Sequence, residues 1–330
     1  MTRTPRWAAV LAAGALLLAA GCSSQGGKEA EQEGSGGATA SCDDPGLTVA
    51  VVSHGKQGDS FWDVVKRGAE DAGKQLCVKV TYQGSGDPNE QAQAIDNAVA
   101  QRVGGLVVSM ANPDALKSSI QKAVAAGVPV ITINSGGDRS AEFGALTHVG
   151  QAERTAGEGA GQQLAEAGVT NLVCVIHEAG NVGLEERCAG AAATLGGTTK
   201  NLQVNVSDLN EATTTIQSAL QADPSINGVL TLNDGVGKSA VAAVKGAGSA
   251  AQVATFDVNA DVIKAVKDGS VLFAVDQQPY TQGYLPVTFL KLYADNANVI
   301  GGGRPVLTGP SFVTKDNADA VEQYAARGTR

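Results

Sequence analysis

Short, continuous apolar runs alternate along most of the chain with longer stretches whose apolar residues recur at helical spacing. Runs of four to six residues have the length of strands buried on both faces, and each predicts one strand. The runs are Leu47–Val52, Val78–Tyr82, Gly105–Val108, Val128–Ile133, Leu172–Ile176, Leu202–Val206, Gly228–Leu232, Val253–Phe256 and Val271–Val275. The stretches between them begin at capping sequences such as Asp59-Ser60, Asp87-Pro88 and Asn112-Pro113. This alternation predicts an α/β fold with parallel sheets covered by helices.

The N-terminal segment has the pattern of an export signal. Two basic residues, Arg3 and Arg6, precede an apolar run that starts at Trp7 and ends in small residues before Cys22. The run is too short to span a bilayer comfortably, so residues 1–21 are predicted to be a signal peptide. A cysteine directly after Ala-Gly resembles the lipobox of bacterial lipoproteins, although Ala19 stands where the pattern usually has Leu. This resemblance implies lipidation of Cys22; ordinary cleavage that leaves a thiol is the alternative.

Residues 23–41 contain almost no apolar side chain. Such a segment cannot bury enough surface to offset its conformational entropy, so residues 22–44 are predicted to be a lipidated cysteine and a flexible tether. The working part would be exported and lipid-anchored to the outer face of the cell membrane. About 290 residues follow the tether, enough for two domains of about 145 residues each.

The net charge of the chain and the motifs in its sequence limit the kinds of partner and cofactor that we expect it to bind. Removing the leader takes away two of the 24 basic residues and leaves 22 against 33 acidic ones, a net charge of −11. An acidic surface argues against nucleic acid or anionic lipid as a partner. The sequence has no HExxH, GxSxG or P-loop motif and no CxxC metal spacing, so neither a cofactor nor a metal is expected.

The cysteines beyond Cys22 are even in number, which in an exported protein suggests disulfides. Cys42 and Cys77 each precede a predicted strand, and Cys174 lies in a strand just before the helix that holds Cys188. Four cysteines allow three pairings, of which we expect the sequential one. Four buried thiols are the alternative.

Polar side chains directly follow most of the predicted strands. They are Ser53-His54, Ser109, Asn134-Ser135, His177, Asn233-Asp234, Asp257 and Asp276-Gln277-Gln278. The ligand crevice of an open parallel sheet lies outside the carboxyl ends of its strands. Asn, Asp, Gln and His form planar, multi-point hydrogen bonds, which favours a shared site for a polyhydroxylated ligand over ordinary polar loops.

The chain resembles the periplasmic sugar-binding proteins of the ribose/galactose type, which are the solute-binding subunits of ABC importers. The resemblance extends from about Leu47 to Thr314 and rests on the order and spacing of several segments. They are Val51-Val52-Ser53, Ser60-Phe61-Trp62, Gly127-Val128-Pro129-Val130-Ile131, Leu232-Asn233-Asp234, Thr255-Phe256-Asp257 and Asp276-Gln277-Gln278-Pro279.

The resemblance implies two Rossmann-like lobes joined by a three-crossing hinge, the type I periplasmic-binding-protein architecture. The N-terminal lobe would comprise residues 45–150 and 279–306, and the C-terminal lobe 151–278 and 307–330. The hinge would lie near Gly150, Gln277-Gln278 and Gly309. Such a protein captures a monosaccharide or polyol by closing its lobes, delivers it to the permease of an ABC importer, and acts as a monomer.

Family roles carry over to this chain by position. The resemblance implies that Phe61 and Trp62 stack on one face of the ligand and that Phe256 supplies the opposing face. Asn134-Ser135 stands where ribose-binding members carry an Asp-Arg pair, which puts ribose itself in doubt. The full candidate ligand-binding set is His54, Asp59, Phe61, Trp62, Ser109, Asn134, Ser135, Arg187, Asn233, Phe256, Asp257 and Gln277.

Three other functions share part of this sequence pattern. His54, His148 and His177 stand near strand ends and suit a metal or general-base site, but no catalytic motif accompanies them, so an enzyme is not expected. A sensor that presents its sugar to a chemoreceptor or kinase would have the same fold. A transcriptional regulator of the two-lobe type would need a helix-turn-helix headpiece, where this chain has a leader.

Overall fold

The computed structural model describes Cys42, residues 46–56 and residues 58–330. The expected signal peptide, Cys22 and nearly all of the expected tether lie outside the described residues. Within the described residues, no helix is long and apolar enough to cross a membrane.

Strands and helices alternate along the described chain. The strands are β1 (Leu47–Ser53), β2 (Val78–Gly84), β3 (Gly105–Ser109), β4 (Val130–Ile133), β5 (Thr147–Gln151), β6 (Asn171–Ile176), β7 (Thr198–Gln203), β8 (Gly228–Thr231), β9 (Gln252–Phe256), β10 (Ala274–Asp276), β11 (Val306–Gly309) and β12 (Ser311–Val313). The helices are α1 (Ser60–Leu76), α2 (Pro88–Ala100), α3 (Pro113–Ala125), α4 (Glu153–Glu166), α5 (Val182–Leu195), α6 (Leu209–Ala222), α7 (Asp234–Ala247), α8 (Ala260–Asp268), α9 (Pro279–Asn296) and α10 (Ala318–Arg327), with one 3₁₀ turn at Gly137–Arg139.

The strands form two six-stranded sheets with the same order. The first runs β2-β1-β3-β4-β5-β11 and the second β7-β6-β8-β9-β10-β12. All pairings are parallel except that of β10 with β12. The chain therefore folds as two lobes of one topology, with the carboxyl ends of the central strands forming a comparable edge in each.

The chain passes between the two sheets three times: between β5 and α4, between β10 and α9, and between β11 and β12. The first sheet includes residues up to Gly309 at the end of β11, a few residues beyond the lobe boundary expected at 306. A three-crossing hinge thus joins the lobes.

Helices cover both faces of each sheet. In the first lobe, α2 and α3 pack on one face, and α1 and α9 pack on the other. In the second lobe, α4 and α5 cover one face and α6, α7, α8 and α10 the other. Glycines bring helix pairs close: a Cβ on Gly157 of α4 would overlap the backbone carbonyl of Arg187 in α5. Gly157 therefore serves the close packing of α4 against α5.

Several sequence predictions of secondary structure are shifted or missing. The strand predicted at Leu202–Val206 is observed as Thr198–Gln203, because an edge strand paired on one side needs no continuous apolar run. The strand Thr147–Gln151 was not predicted because its sequence is largely polar, yet it is fully buried. The last two strands and α10 also lacked a recognisable pattern.

Both expected disulfides are present. Cys42 pairs with Cys77, and Cys174 pairs with Cys188. The first bond ties the chain before β1 to the end of α1, and the second ties β6 to the following helix. The sequential pairing is confirmed.

Candidate functional site

A cavity lies between the two lobes, at the carboxyl ends of their strands. Side chains from both lobes and from the hinge line it: His54, Asp59, Phe61, Trp62, Asn134, Ser135, His177, Glu178, Asn181, Leu184, Arg187, Leu232, Asn233, Asp257 and Gln277.

An aromatic cluster forms the first-lobe wall. Asp59 caps α1 by accepting a hydrogen bond from the Phe61 backbone N–H (3.0 Å), which places Phe61 and Trp62 in the first helical turn. The Trp62 ring meets the Phe61 ring edge-on at 5.2 Å between centroids and the His54 ring at 4.7 Å. Phe61 and Trp62 belong to the hydrophobic core of the first lobe and are buried. The folding of that lobe therefore fixes this wall.

A buried ion pair organises the second-lobe wall. Both oxygens of Glu153, at the start of α4, accept hydrogen bonds from the Arg187 guanidinium. Arg187 also donates to the Leu232 backbone carbonyl (3.3 Å) and to Oε1 of Gln277 (3.4 Å). A guanidinium has five N–H donors, so these four bonds leave at most one for a ligand. Arg187 is thus mainly a brace for the wall and the hinge.

Two strand-end residues with left-handed backbones face the cavity from opposite lobes. Asn134 follows β4 with φ 61°, and Asp257 follows β9 with φ 67°. Gln277 joins them: its Oε1 accepts from Asn134 Nδ2 (3.1 Å), and its Nε2 donates to Asp257 Oδ1 (2.7 Å). Non-glycine residues at positive φ are uncommon and concentrate at functional sites, where the surrounding structure holds them.

Burial shifts the pKa values of two carboxyl groups and two imidazoles of the cavity toward their neutral forms. Burial, reinforced by the Asp234 carboxylate, raises the pKa of Asp59 to about 6. Burial raises the pKa of Asp257 well above its usual value, against the opposing effect of Arg187. Burial lowers the pKa of His177 to about 4 and also lowers that of His54, so both imidazoles are neutral at pH 7. Against the effect of burial, the neighbouring His54, His177 and Asn181 lower the pKa of Glu178, so the cavity combines neutral imidazoles with the charged groups Glu178 and Arg187.

Direct hydrogen bonds connect the lobes around the cavity. Ser60 donates to Asp234 Oδ2 across the cleft (2.6 Å), and Ser135 donates to Asn181 Oδ1 (3.1 Å). Because each bond joins residues of opposite lobes, both would have to break for the cavity to open. The structure is the closed form.

Ten of the twelve predicted site residues line the cavity; the exceptions are Ser109 and Phe256. Ser109 lies behind His54 and bonds its Nδ1 at 2.7 Å, so it orients that ring. Phe256 is fully buried in the second-lobe core, with the Arg187 guanidinium 4.6 Å from its ring centroid. The expected opposing aromatic face is therefore not on the cavity wall, because Arg187 covers it.

Sequence reasoning missed part of the site. The further lining residues are Glu178, Asn181, Leu184, Leu232 and His177, the last of which was named as a polar strand end but not included in the candidate set, and Glu153 lies behind the wall. One signal was present: His177 follows the first strand of the second lobe as His54 follows the first strand of the first. Within residues 42, 46–56 and 58–330, no group of three or more His, Cys, Asp or Glu side chains is arranged to hold a metal.

Residues 49–298 match the family described as the periplasmic binding protein domain. The chain belongs to this family. Its members are substrate-binding proteins rather than enzymes, and an extracytoplasmic location follows from membership. The predicted family resemblance and the predicted fold class are confirmed.

Named relatives and solved structures agree with the family. The chain is similar to the ribose import binding protein of Bacillus subtilis, with 28% identity over 253 residues, 73% of this chain and 78% of the relative. It is also similar to a xylose/arabinose-binding protein of Sulfolobus acidocaldarius, 24% identical over 83% of this chain and 72% of the relative. A carbohydrate transporter structure from Acidothermus cellulolyticus, in complex with myo-inositol, superposes with a TM-score of 0.85 and is 43% identical over 86% of this chain and 99% of that one.

Proposed function

We propose that this protein is the solute-binding subunit of an ABC importer and that it captures an uncharged cyclic polyol or monosaccharide. The main support is the cavity between the lobes, with aromatic rings on the first-lobe wall and planar hydrogen-bonding groups from both lobes. A sugar or cyclitol presents C–H patches and a rim of hydroxyls, which these two kinds of wall complement.

The charge arrangement supports a neutral ligand. Arg187, the cation of the cavity wall, is already paired with Glu153, and little of its donor capacity is free. An anionic ligand would meet no unpaired cation among the residues that line this space, so its buried charge would be costly. Asp257, Asn233 and Asn134 are then the groups that bind hydroxyls, and Trp62 with Phe61 covers the ring.

Within this class we propose a cyclitol of the myo-inositol type. The support is the 43% identical structure from Acidothermus cellulolyticus, which holds myo-inositol, whereas the named ribose import binding proteins are at most 28% identical. The Asn134-Ser135 sequence, in place of an Asp-Arg pair, is consistent with a ligand other than ribose.

A thermal-shift screen followed by calorimetry tests the proposal. The panel is myo-inositol, its stereoisomers, D-ribose, D-xylose, D-allose, D-glucose and D-galactose. A ligand that binds only the folded state raises Tm by mass action, so we expect the largest rise with myo-inositol or a stereoisomer. No shift with any compound at millimolar concentration would overturn the proposal, and a pentose as the tightest ligand would overturn the cyclitol assignment.

Asp257→Asn separates site binding from an unspecific effect on stability. Asn tolerates the left-handed backbone at this position and nearly preserves the side-chain shape. We expect it to weaken binding about 10- to 100-fold, since hydroxyls in a closed site lose a partner. The matched control is Asp261→Asn on the exposed face of α8, whose carboxylate pairs only with Lys238 at the surface. Equal affinities for the two variants would count against a role for Asp257.

Lipid anchoring at Cys22 and a monomeric state complete the proposal. The support for the anchor is the leader pattern before Cys22, and the support for a monomer is that one chain supplies both walls of the cavity. Cys22→Ser should release the protein into the medium of intact cells while preserving its ligand affinity. Retention of that variant at the membrane would contradict the lipid anchor. A dimer mass by light scattering would contradict the monomeric state.

A further inference from the structure

A second, larger space adjoins the candidate site at the mouth of the cleft. Its volume is about 370 Å³, against about 30 Å³ for the first. The two spaces share four lining residues: His54, His177, Glu178 and Asn181. We call the larger space the outer chamber. Both lobes contribute to it, for example through Asn112 from the first and Asn205 from the second, so closure forms the outer chamber as well as the inner cavity.

The outer chamber has the chemistry of a carbohydrate subsite. Asn112 and Asn205 supply amide groups, and Pro88 and Val204 supply apolar surface, while the Asn181 amide bonds to Ser135, Gly183 and Glu178. One cation, Lys56, and one anion, Glu178, are also on its wall, and their charges offset each other. A phosphate or carboxylate would meet no excess of positive charge there. A neutral, hydroxylated ring suits this lining better.

An unpartnered nitrogen at the junction points to a ligand that passes between the spaces. Nδ1 of His177 is buried and has no hydrogen-bond partner within the protein. The ring is neutral, because burial lowers its pKa to about 4. An unsatisfied buried nitrogen is unfavourable unless something bonds to it. A hydroxyl or glycosidic oxygen of a ligand spanning the junction would do so.

Resting on the proposed function, we propose that the ligand site extends into the outer chamber and accepts a ring that carries a second sugar unit. The first ring occupies the inner cavity between Trp62 and Asp257. The linkage passes between His54 and His177, and the second unit lies among the amides of the outer chamber. The ligand class is then a glycosylated cyclitol or a disaccharide, with the free ring as a smaller ligand of the same site.

Paired ligands and one space-filling variant test the extension. The pairs are myo-inositol with galactosyl-myo-inositol and D-glucose with isomaltose, measured by calorimetry on the full exported chain. The variant is Ala179→Trp, in an exposed turn on the wall of the outer chamber and outside the inner cavity. Its control is Ala250→Trp, at an exposed loop position away from both spaces.

In the native chain we expect at least one glycoside to bind within about tenfold of its parent ring, or more tightly. Ala179→Trp should weaken that glycoside more than about tenfold and change the parent ring less than about twofold. Ala250→Trp should change neither.

The extension is overturned if every glycoside binds more than about tenfold more weakly than its ring. It is also overturned if Ala179→Trp leaves the glycoside unchanged or weakens ring and glycoside equally. Binding of the rings alone would leave the proposed function standing and remove only the extension, whereas no binding by any ring or glycoside would remove both.

Discussion

The two lobes share one strand order yet build their halves of the candidate site by different means. The first-lobe wall is aromatic, and its rings are part of the lobe's own hydrophobic core. The second-lobe wall depends on a buried Arg187–Glu153 pair that hydrogen-bonds onward to the hinge residue Gln277. Hydrophobic packing within the first lobe therefore fixes the aromatic wall. The second-lobe wall depends instead on a charged pair and on the hydrogen bonds that both partners make.

Equivalent positions in the lobes make the difference clear. Asn134 after β4 and Asp257 after β9 both have left-handed backbones, and both hydrogen-bond to Gln277. The Asn134 side chain is an amide. The Asp257 side chain is a carboxyl group, and burial raises its pKa. We infer that the aromatic wall provides the contact area for a ring, while the polar wall and hinge link ligand binding to closure.

The largest expected effect comes from breaking the second-lobe pair. Glu153→Ala leaves the Arg187 charge buried without compensation, so we expect the free energy of unfolding to fall by about 3–5 kcal/mol in urea denaturation.

Glu158→Ala is the matched control in the same helix. Glu158 pairs with Arg154 one turn away, and their side chains are 40% and 58% exposed, so its loss should cost less than about 0.5 kcal/mol. Similar losses for the two variants would show that the Arg187 charge is not isolated from solvent.

Trp62→Ala tests whether the aromatic wall also binds ligand. We expect ligand affinity to fall by about 1–3 kcal/mol, or roughly ten- to a hundredfold, because a buried aromatic contact is lost. Stability should fall as well, since Trp62 packs in the core. Without residues 1–21 it is the only tryptophan in the sequence, so its fluorescence should change when ligand binds.

Phe143→Ala separates the two roles. Phe143 is fully buried in the first lobe but does not line the cavity, so its removal should lower stability and leave affinity nearly unchanged. If Trp62→Ala behaved in the same way, and the emission of Trp62 in the native protein did not change with ligand, the stacking hypothesis would be contradicted. Trp62→Phe gives a milder form of the same test should the alanine variant not fold.

The smallest expected effect concerns Asp59 at the edge of the aromatic wall. Its pKa is about 6 in the folded protein, above the ordinary 3.8. The folded state therefore holds more protons than the unfolded state between these values, and stability falls as pH rises from about 4 to about 6. Asp59→Asn removes the charge and keeps the helix cap, so it should stabilise the protein at pH 8.

We expect a gain of about 1 kcal/mol or less, because the side chain keeps some solvent contact. The gain should vanish near pH 4 in thermal melts. Asp87→Asn, at the exposed cap of α2, should show no such pH dependence. A constant gain across this pH range would mean that the buried charge of Asp59 is not its cause.

Local patterns predicted a large part of this molecule. Continuous apolar runs identified the buried central strands, because a strand covered on both faces must be apolar throughout. The caps Asp59, Asp87 and Asn112 identified helix starts, since each accepts hydrogen bonds from the first helical N–H groups. Polar strand ends identified most of the cavity wall, because carboxyl ends of parallel strands meet at one edge.

What the sequence determined is therefore what depends on neighbours along the chain: strands, caps, the disulfide pairing and the polar strand ends. What only the tertiary structure decided depends on partners distant in sequence. Glu153 and Arg187 pair because α4 and α5 pack closely through glycines. This pairing uses most of the donors of Arg187, so Arg187 is not purely a ligand-binding residue. The guanidinium also covers the Phe256 ring. His177 becomes a junction residue only because the second lobe closes against the first, an arrangement that no local pattern encodes.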